Sequence, residues 1–131
     1  MDTAPLILLA AGGTGGHLFP AEALGVELIR RGYRVRLVTD SRALRYSGLF
    51  SKDMIDVVPS ATVRSRAPWS LAYTGLMLGY GTLAALNLVR RLKPAAVVGF
   101  GGYPTVPPIF AAKWRGVPGI IHDANAVRSY A

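Results

Sequence analysis

Five apolar residues, Leu6–Ala10, run directly into Ala11-Gly12-Gly13-Thr14-Gly15-Gly16-His17, after which a helical pattern begins. A buried strand that turns through glycines into a helix is how parallel α/β proteins hold an anionic group. The missing Cβ atoms let the main chain approach closely, and the unpaired amides of the first helical turn face the ligand. The segment is a candidate phosphate cradle. Its spacing is not the dinucleotide fingerprint: Gly12, Gly15 and Gly16 match only part of G-x-G-x-x-G, and Asp40 is the only acid near the ribose-binding position. No Lys-Ser or Lys-Thr follows the glycines, which removes the P-loop reading. His17 places an imidazole at the helix start, where it can exchange protons near neutral pH. A tight strand-to-helix turn with no ligand, and a histidine bonded to a nearby carbonyl, account for the same residues taken alone.

The chain has 131 residues, the length of one domain with a real core but short for a complete two-substrate enzyme of this class. It has no cysteine, which excludes disulfides and thiolate metal sites. Two histidines and seven carboxylates, with no His-x-x-x-His and no acid cluster, argue against a metal site. The apolar run at the N-terminus lacks a basic leader and is too short for a signal-peptide core.

Strands and helices alternate along the sequence. We expect strands at 6–10, 33–39, 53–58, 95–99 and 119–122, and helices at 20–31, 69–92 and 105–115, with a short helix or irregular segment at 41–50. The first helix should bury Ala21, Leu24, Leu28 and Ile29, with Pro20 near its start and Gly32 just past its end. This alternation predicts a Rossmann-like α/β fold, a parallel sheet of about five strands flanked by helices.

The net charge of +8 is unevenly spread. From Val57 to His122 there is no acid, but there are Arg64, Arg66, Arg90, Arg91, Lys93, Lys113 and Arg115. Such a field attracts anionic partners, among them phospholipid headgroups and pyrophosphates. Nucleic acid is not expected, because the basic residues are not interleaved with aromatics in any binding module. Within the interval, residues 67–89 carry no charge, which meets the length rule for a membrane span. Glycines 75, 79 and 81 and several polar residues dilute that stretch, and a span would sever the third strand from the fourth. A crossover helix covering the sheet is one reading. The other is a helix partly inserted at an anionic interface, with Trp69 and Leu76 entering and Arg64, Arg66, Arg90 and Arg91 flanking. Trp114 is a further contact if its helix end lies on the same side.

Gly99-Phe100-Gly101-Gly102-Tyr103 repeats the first loop's device at the end of the fourth strand. First and fourth strands are commonly neighbours at the switch point of a doubly wound sheet, so both loops and the 122–125 segment should converge on one crevice. At this point the residues resemble a known family. Gly12-Gly13-Thr14-Gly15-Gly16-His17 with Phe19-Pro20, Gly99-Phe100-Gly101-Gly102-Tyr103, Gly116-Val117-Pro118 and His122-x-x-Asn125-Ala126 are similar to the amino-terminal domain of MurG-type glycosyltransferases.

The resemblance covers nearly the whole chain and implies the amino-terminal half of a GT-B architecture, with residues 1–131 forming an incomplete acceptor-side domain and the UDP-sugar domain absent. It implies an inverting transfer of N-acetylglucosamine from UDP-N-acetylglucosamine to lipid I, giving lipid II for peptidoglycan, with no catalytic metal or other cofactor. It also implies a peripheral position on the cytoplasmic face of the bacterial inner membrane. By the same resemblance His17 is the candidate base. Thr14, Gly15 and Gly16 are donors to a diphosphate or donor sugar, Asn125 orients a sugar hydroxyl or acetamido group, Tyr103 lines the acceptor cleft, and Gly101 and Gly102 count among the substrate-binding residues. The family commonly carries His-Glu-Gln-Asn where this chain has His122-Asp123-Ala124-Asn125, so only the histidine and the asparagine are retained. Two other readings are a non-catalytic membrane- or partner-binding half of a split transferase, and a nucleotide-binding α/β module of unrelated activity.

Overall fold

A computed structural model describes residues 4–12, 15–40, 50, 52–58, 67–101 and 105–122. The central strand β1, Leu6–Ala10, is buried along its whole length, which explains why its sequence is continuously apolar instead of alternating. Ile7 and Leu9, with Ala11 just beyond, face one side and pack with Leu18 and Ala21; Leu8 and Ala10 face the other, with Ala85, Leu88, Val89, Ala111 and Ala112. One strand thus supports two helical layers.

Around β1 the chain builds α1 (Gly15–Arg30), β2 (Arg34–Thr39), β3 (Ile55–Val57), α2 (Pro68–Leu92), β4 (Ala96–Gly99), α3 (Val106–Trp114) and β5 (Gly119–Ile121). The five strands form one sheet in the order β3-β2-β1-β4-β5, and every pairing is parallel. The expected fold class is therefore observed. Strand order reverses between β1 and β4, so the switch point lies where the two glycine loops leave the sheet. Toward the other edge, Arg36 of β2 donates to the Asp56 carboxylate of β3 at 2.8 Å. That half-buried pair holds the Arg36 guanidinium in its charged form and ties the short β3 to its neighbour.

Several boundaries differ from the sequence expectation. Helix α1 begins at Gly15, five residues before the start its apolar pattern suggested, because the glycine loop itself supplies the first turn. Pro20 consequently lies inside the helix and provides no N–H for the carbonyl four residues back. Ile29 was expected on the buried face but is exposed. The face is set by Leu18, Ala21, Gly25 and Leu28, one step of 100° away. The third strand is shorter than expected, since Lys52–Met54 forms a 3-10 turn before β3. Residues 41–49, expected as a short helix or irregular segment, lie outside the described residues.

Candidate functional site

The sheet's hydrogen-bond ladder continues past the strand ends into both glycine loops. Phe100 N–H donates to the Ala10 carbonyl at 2.8 Å, and Gly12 N–H donates to the Gly101 carbonyl at 3.1 Å. The first loop is thus tied directly to the second. On the far side His122 N–H donates to the Gly99 carbonyl at 2.7 Å, which brings the end of β5 into the same row. The convergence expected of the three segments is present in the main chain, up to His122.

Two glycines are required by this geometry. Gly101 has φ +98°, a conformation side chains rarely tolerate, and it presents the carbonyl that Gly12 binds. At Gly99 a Cβ would lie 2.8 Å from Thr105 Cγ2 and 3.3 Å from Ile109 Cγ1, so the absent side chain lets α3 close on β4. Thr105 is itself buried, and cannot swing aside as a long exposed side chain would.

The two helices that open beyond the loops differ in what they offer an anion. Gly15, Gly16 and His17 form the first turn of α1, with no acid there to oppose the positive end of the helix dipole. Their amides have no intrahelical partner. In α3 the second and third positions are Pro107 and Pro108, which carry no N–H. Of the two helix termini, α1 is the one whose first turn keeps its amides to offer an anion.

Gly101 lies just past β4, joined to Gly12 through its carbonyl, Gly16 is exposed, and the main chain of Gly15 and His17 belongs to the first turn of α1. Thr14, Gly102, Tyr103 and Asn125 lie outside the described residues. Two residues that the site assignment omitted stand beside it. Phe100 is buried against Ala11 and Leu18, and its ring centroid lies 5.5 Å from that of the exposed His122, tilted by 54°. The signal was available in the sequence, since both residues flank the fourth and fifth strands at their carboxyl ends.

A second surface lies on the α2 and α3 layer. Trp69, Tyr73, Leu76, Tyr80 and Leu83 of α2 are all more than 60% exposed and follow a 4-3-4-3 spacing, which sets them on one stripe. The opposite face, with Gly81, Ala85, Leu88 and Val89, is buried, and the last three pack on the sheet. α2 is therefore a crossover helix, and its outer side is apolar. Tyr73 and Tyr80 were not singled out beforehand, although the 3.5-residue period marks them. Leu86, by contrast, packs against the core. Asn87 and Arg90 continue the stripe, with Arg90 donating to the Asn87 side-chain oxygen at 3.0 Å. α3 lies on the same side of the sheet and exposes Val106, Phe110 and Trp114, the last two stacked at 6.3 Å. Arg64 and Arg66 lie outside the described residues; Arg90 and Arg91 are exposed at the end of α2.

Residues 7–131 match the family model of the glycosyltransferase family 28 N-terminal domain. The chain is 82% identical over 126 residues to a UDP-N-acetylglucosamine--N-acetylmuramyl-(pentapeptide) pyrophosphoryl-undecaprenol N-acetylglucosamine transferase of a Bradyrhizobium species, covering 96% of this chain and 34% of the relative. Against the protein of the same name from Nitrobacter winogradskyi it is 80% identical over 127 residues, 97% of this chain and 34% of the relative. Among solved structures, Acinetobacter baumannii MurG superposes with a TM-score of 0.71 at 29% identity, over 96% of this chain and 37% of that one. The chain thus spans about a third of the length of the curated relatives it matches.

Proposed function

The chain belongs to the glycosyltransferase family 28 N-terminal domain family, and from that membership we propose that it is the acceptor-side half of an inverting transferase that moves N-acetylglucosamine from UDP-N-acetylglucosamine to lipid I. The observation that carries this reading is the Gly12 to Gly101 hydrogen bond, which joins the two glycine loops at the switch point beside an unopposed helix N-terminus. In this reading the first turn of α1, with Thr14, Gly15 and Gly16, holds the acceptor's diphosphate. Gly101, Gly102 and Tyr103 line the opposite wall, and Asn125 orients a sugar group.

The muramoyl 4-hydroxyl attacks the anomeric carbon of the donor sugar. A carbon–oxygen bond forms on one face while the bond to the diphosphate breaks on the other, so the configuration inverts and UDP leaves. A hydroxyl is a weak nucleophile at neutral pH, and His17 takes its proton as the new bond forms. Amides fixed around the acceptor's diphosphate hold the acceptor so that its hydroxyl is placed for attack. The UDP-sugar is gripped by a second domain in the intact protein, so the chain alone does not turn over.

The apolar stripe of α2, with Trp69 and Leu76, and the exposed aromatics of α3 rest on the cytoplasmic face of the inner membrane, where the lipid acceptor resides. Arg64, Arg66, Arg90 and Arg91 meet its anionic headgroups. The test is transfer of labelled N-acetylglucosamine from its UDP conjugate to a lipid I analogue by the intact protein. Product dependent on both substrates, and none from the 131-residue chain alone, is the expected result. Turnover by the chain alone, or none by the intact protein, overturns the reading.

A further inference from the structure

A lipid surface asks only that one side of a helix be apolar, whereas the outer side of α2 carries a narrow and regular seam. Trp69, Tyr73, Leu76, Tyr80 and Leu83 are exposed and fall within about 80° of the helix circumference. Their strict alternation of four and three residues is the pattern of a seam packed by another helix, in which each side chain enters a hole on the facing one. Asn87, also exposed, continues the seam as its first polar position.

The margins of the seam point the same way. Helices that lie in a lipid interface usually carry lysine or arginine along their polar side, but α2 has no charge from Pro68 to Val89, and its cations stand only at the end. One margin consists of the exposed small residues Ala72, Gly75 and Gly79. Nothing lies within 4 Å of where a Cβ would stand at either glycine, and an apolar groove runs beside them between Leu76 and Leu83. A large side chain of a facing helix fits into such a groove.

The same sequence supplies that helix. Turned end for end about a two-fold axis near Leu78, a second α2 sets Leu76 against Tyr80, Tyr73 against Leu83 and Trp69 against Asn87, a larger side chain meeting a smaller one in every layer. This orientation also separates the charges. The two copies of Arg90 stand about 36 Å apart along the axis, beyond the screening length of about 10 Å, whereas a parallel pair brings Arg90 and Arg91 of both copies together. The five exposed side chains offer about 700 Å² per copy, and Phe110 and Trp114 of α3, which packs against α2, add to it. A stable pair buries about 800 Å² on each partner.

We propose that this chain pairs with a second copy of itself through antiparallel α2 helices when no membrane is present. The seam is the surface that the function proposed above rests on lipid, so the two associations exclude each other. The dimer is then a lipid-free form whose apolar side is covered, and an anionic membrane takes it apart. The pairing itself does not depend on the transferase reading.

Sedimentation equilibrium of the intact protein in lipid-free buffer should give the mass of a dimer with a micromolar dissociation constant. Tyr80→Lys, at an exposed position, puts a cation against the partner's seam and should weaken the dimer at least about tenfold. Val26→Lys, exposed on α1 across the sheet, should leave it unchanged. Disulfide trapping reads the orientation in a background with no other cysteine. Tyr73→Cys protein mixed with Leu83→Cys protein should cross-link on mild oxidation, neither should cross-link with itself, and anionic vesicles should lower the yield.

A monomer at every concentration up to about 100 μM overturns the proposal, as does a dimer that folded Tyr80→Lys leaves intact. If that variant fails to fold by circular dichroism, Leu76→Lys is judged by the same criterion. Cross-linking of Tyr73→Cys protein with itself overturns the antiparallel arrangement. An unchanged yield with protein that co-sediments with the vesicles overturns the sharing of one surface; protein that does not co-sediment at all removes the membrane reading and leaves the dimer standing.

Discussion

His17→Ala, made in the intact protein that contains this chain, is expected to lower kcat by about two to four powers of ten, the span typical of losing a positioned acid or base. The reasons are chemical and positional. His17 is the third residue of α1, in the turn that continues directly from the glycine loop, and it is the only residue of that loop with a side chain able to take a proton near neutral pH. If the role is proton transfer, KM for either substrate changes little, because the interaction lost belongs to the transition state. His17→Gln should be as slow as alanine, since it restores hydrogen bonding without basicity. Steady-state rates at saturating substrate are the measurement. An unchanged kcat would remove His17 from the chemistry and leave it a helix-start residue.

The second large effect concerns the membrane. Binding of the chain to vesicles rich in anionic lipid should weaken about a thousandfold between low and high salt, because four arginines near such a surface contribute ~1 kcal/mol each and salt screens them. The four are Arg64, Arg66, Arg90 and Arg91, set in an interval from Val57 to His122 that contains no acid. The cations at the end of α1 add little to this field, because α1 packs on the opposite face of the sheet and Glu27, its carboxyl lowered to about 2 by hydrogen bonds from Arg30 and Arg31, offsets one of the two charges. Neutral vesicles should bind poorly, and Trp69 and Leu76 replaced by serine should weaken binding at every salt concentration. The 25-residue α2 is long and apolar enough to cross a bilayer by composition, but Ala85, Leu88 and Val89 anchor it to the sheet, so it can lie on a membrane without spanning it. Co-sedimentation measures all of this. Equal binding to neutral and anionic vesicles, or none to either, would leave α2 an ordinary crossover helix with an apolar outer side.

How much was legible in the sequence follows from which forces shape each part. β1 could be read to the residue because a strand buried on both faces must be apolar throughout, and its glycine loop marks its end. The start of α1 could not, because glycines and an internal Pro20 carry no helical signal, and the helix forms there from the geometry of the loop. The face of α1 was misplaced at Ile29 because an exposed isoleucine looks like a core one when only composition is available. The stripe on α2 was seen only in part: Trp69 and Leu76 stand out as large apolar residues, whereas Tyr73 and Tyr80 are recognised only by their spacing. The crevice was legible as three motifs. Their approach followed from the usual neighbouring of first and fourth strands, but the particular bond from Gly12 to Gly101, between residues almost ninety positions apart, needed the structure. The pairing of Phe100 with His122 needed it for the same reason.

Hydrogen exchange on the intact protein, with each substrate added separately, tests most directly whether this chain is the acceptor side. A soluble lipid I analogue should slow exchange in peptides spanning Ala10 to Leu18 and Gly99 to Gly101, the two loops tied by the Gly12 to Gly101 bond. UDP alone should leave both unchanged and protect peptides outside this chain. Protection of these loops by UDP, with no response to the acceptor analogue, would contradict the assignment.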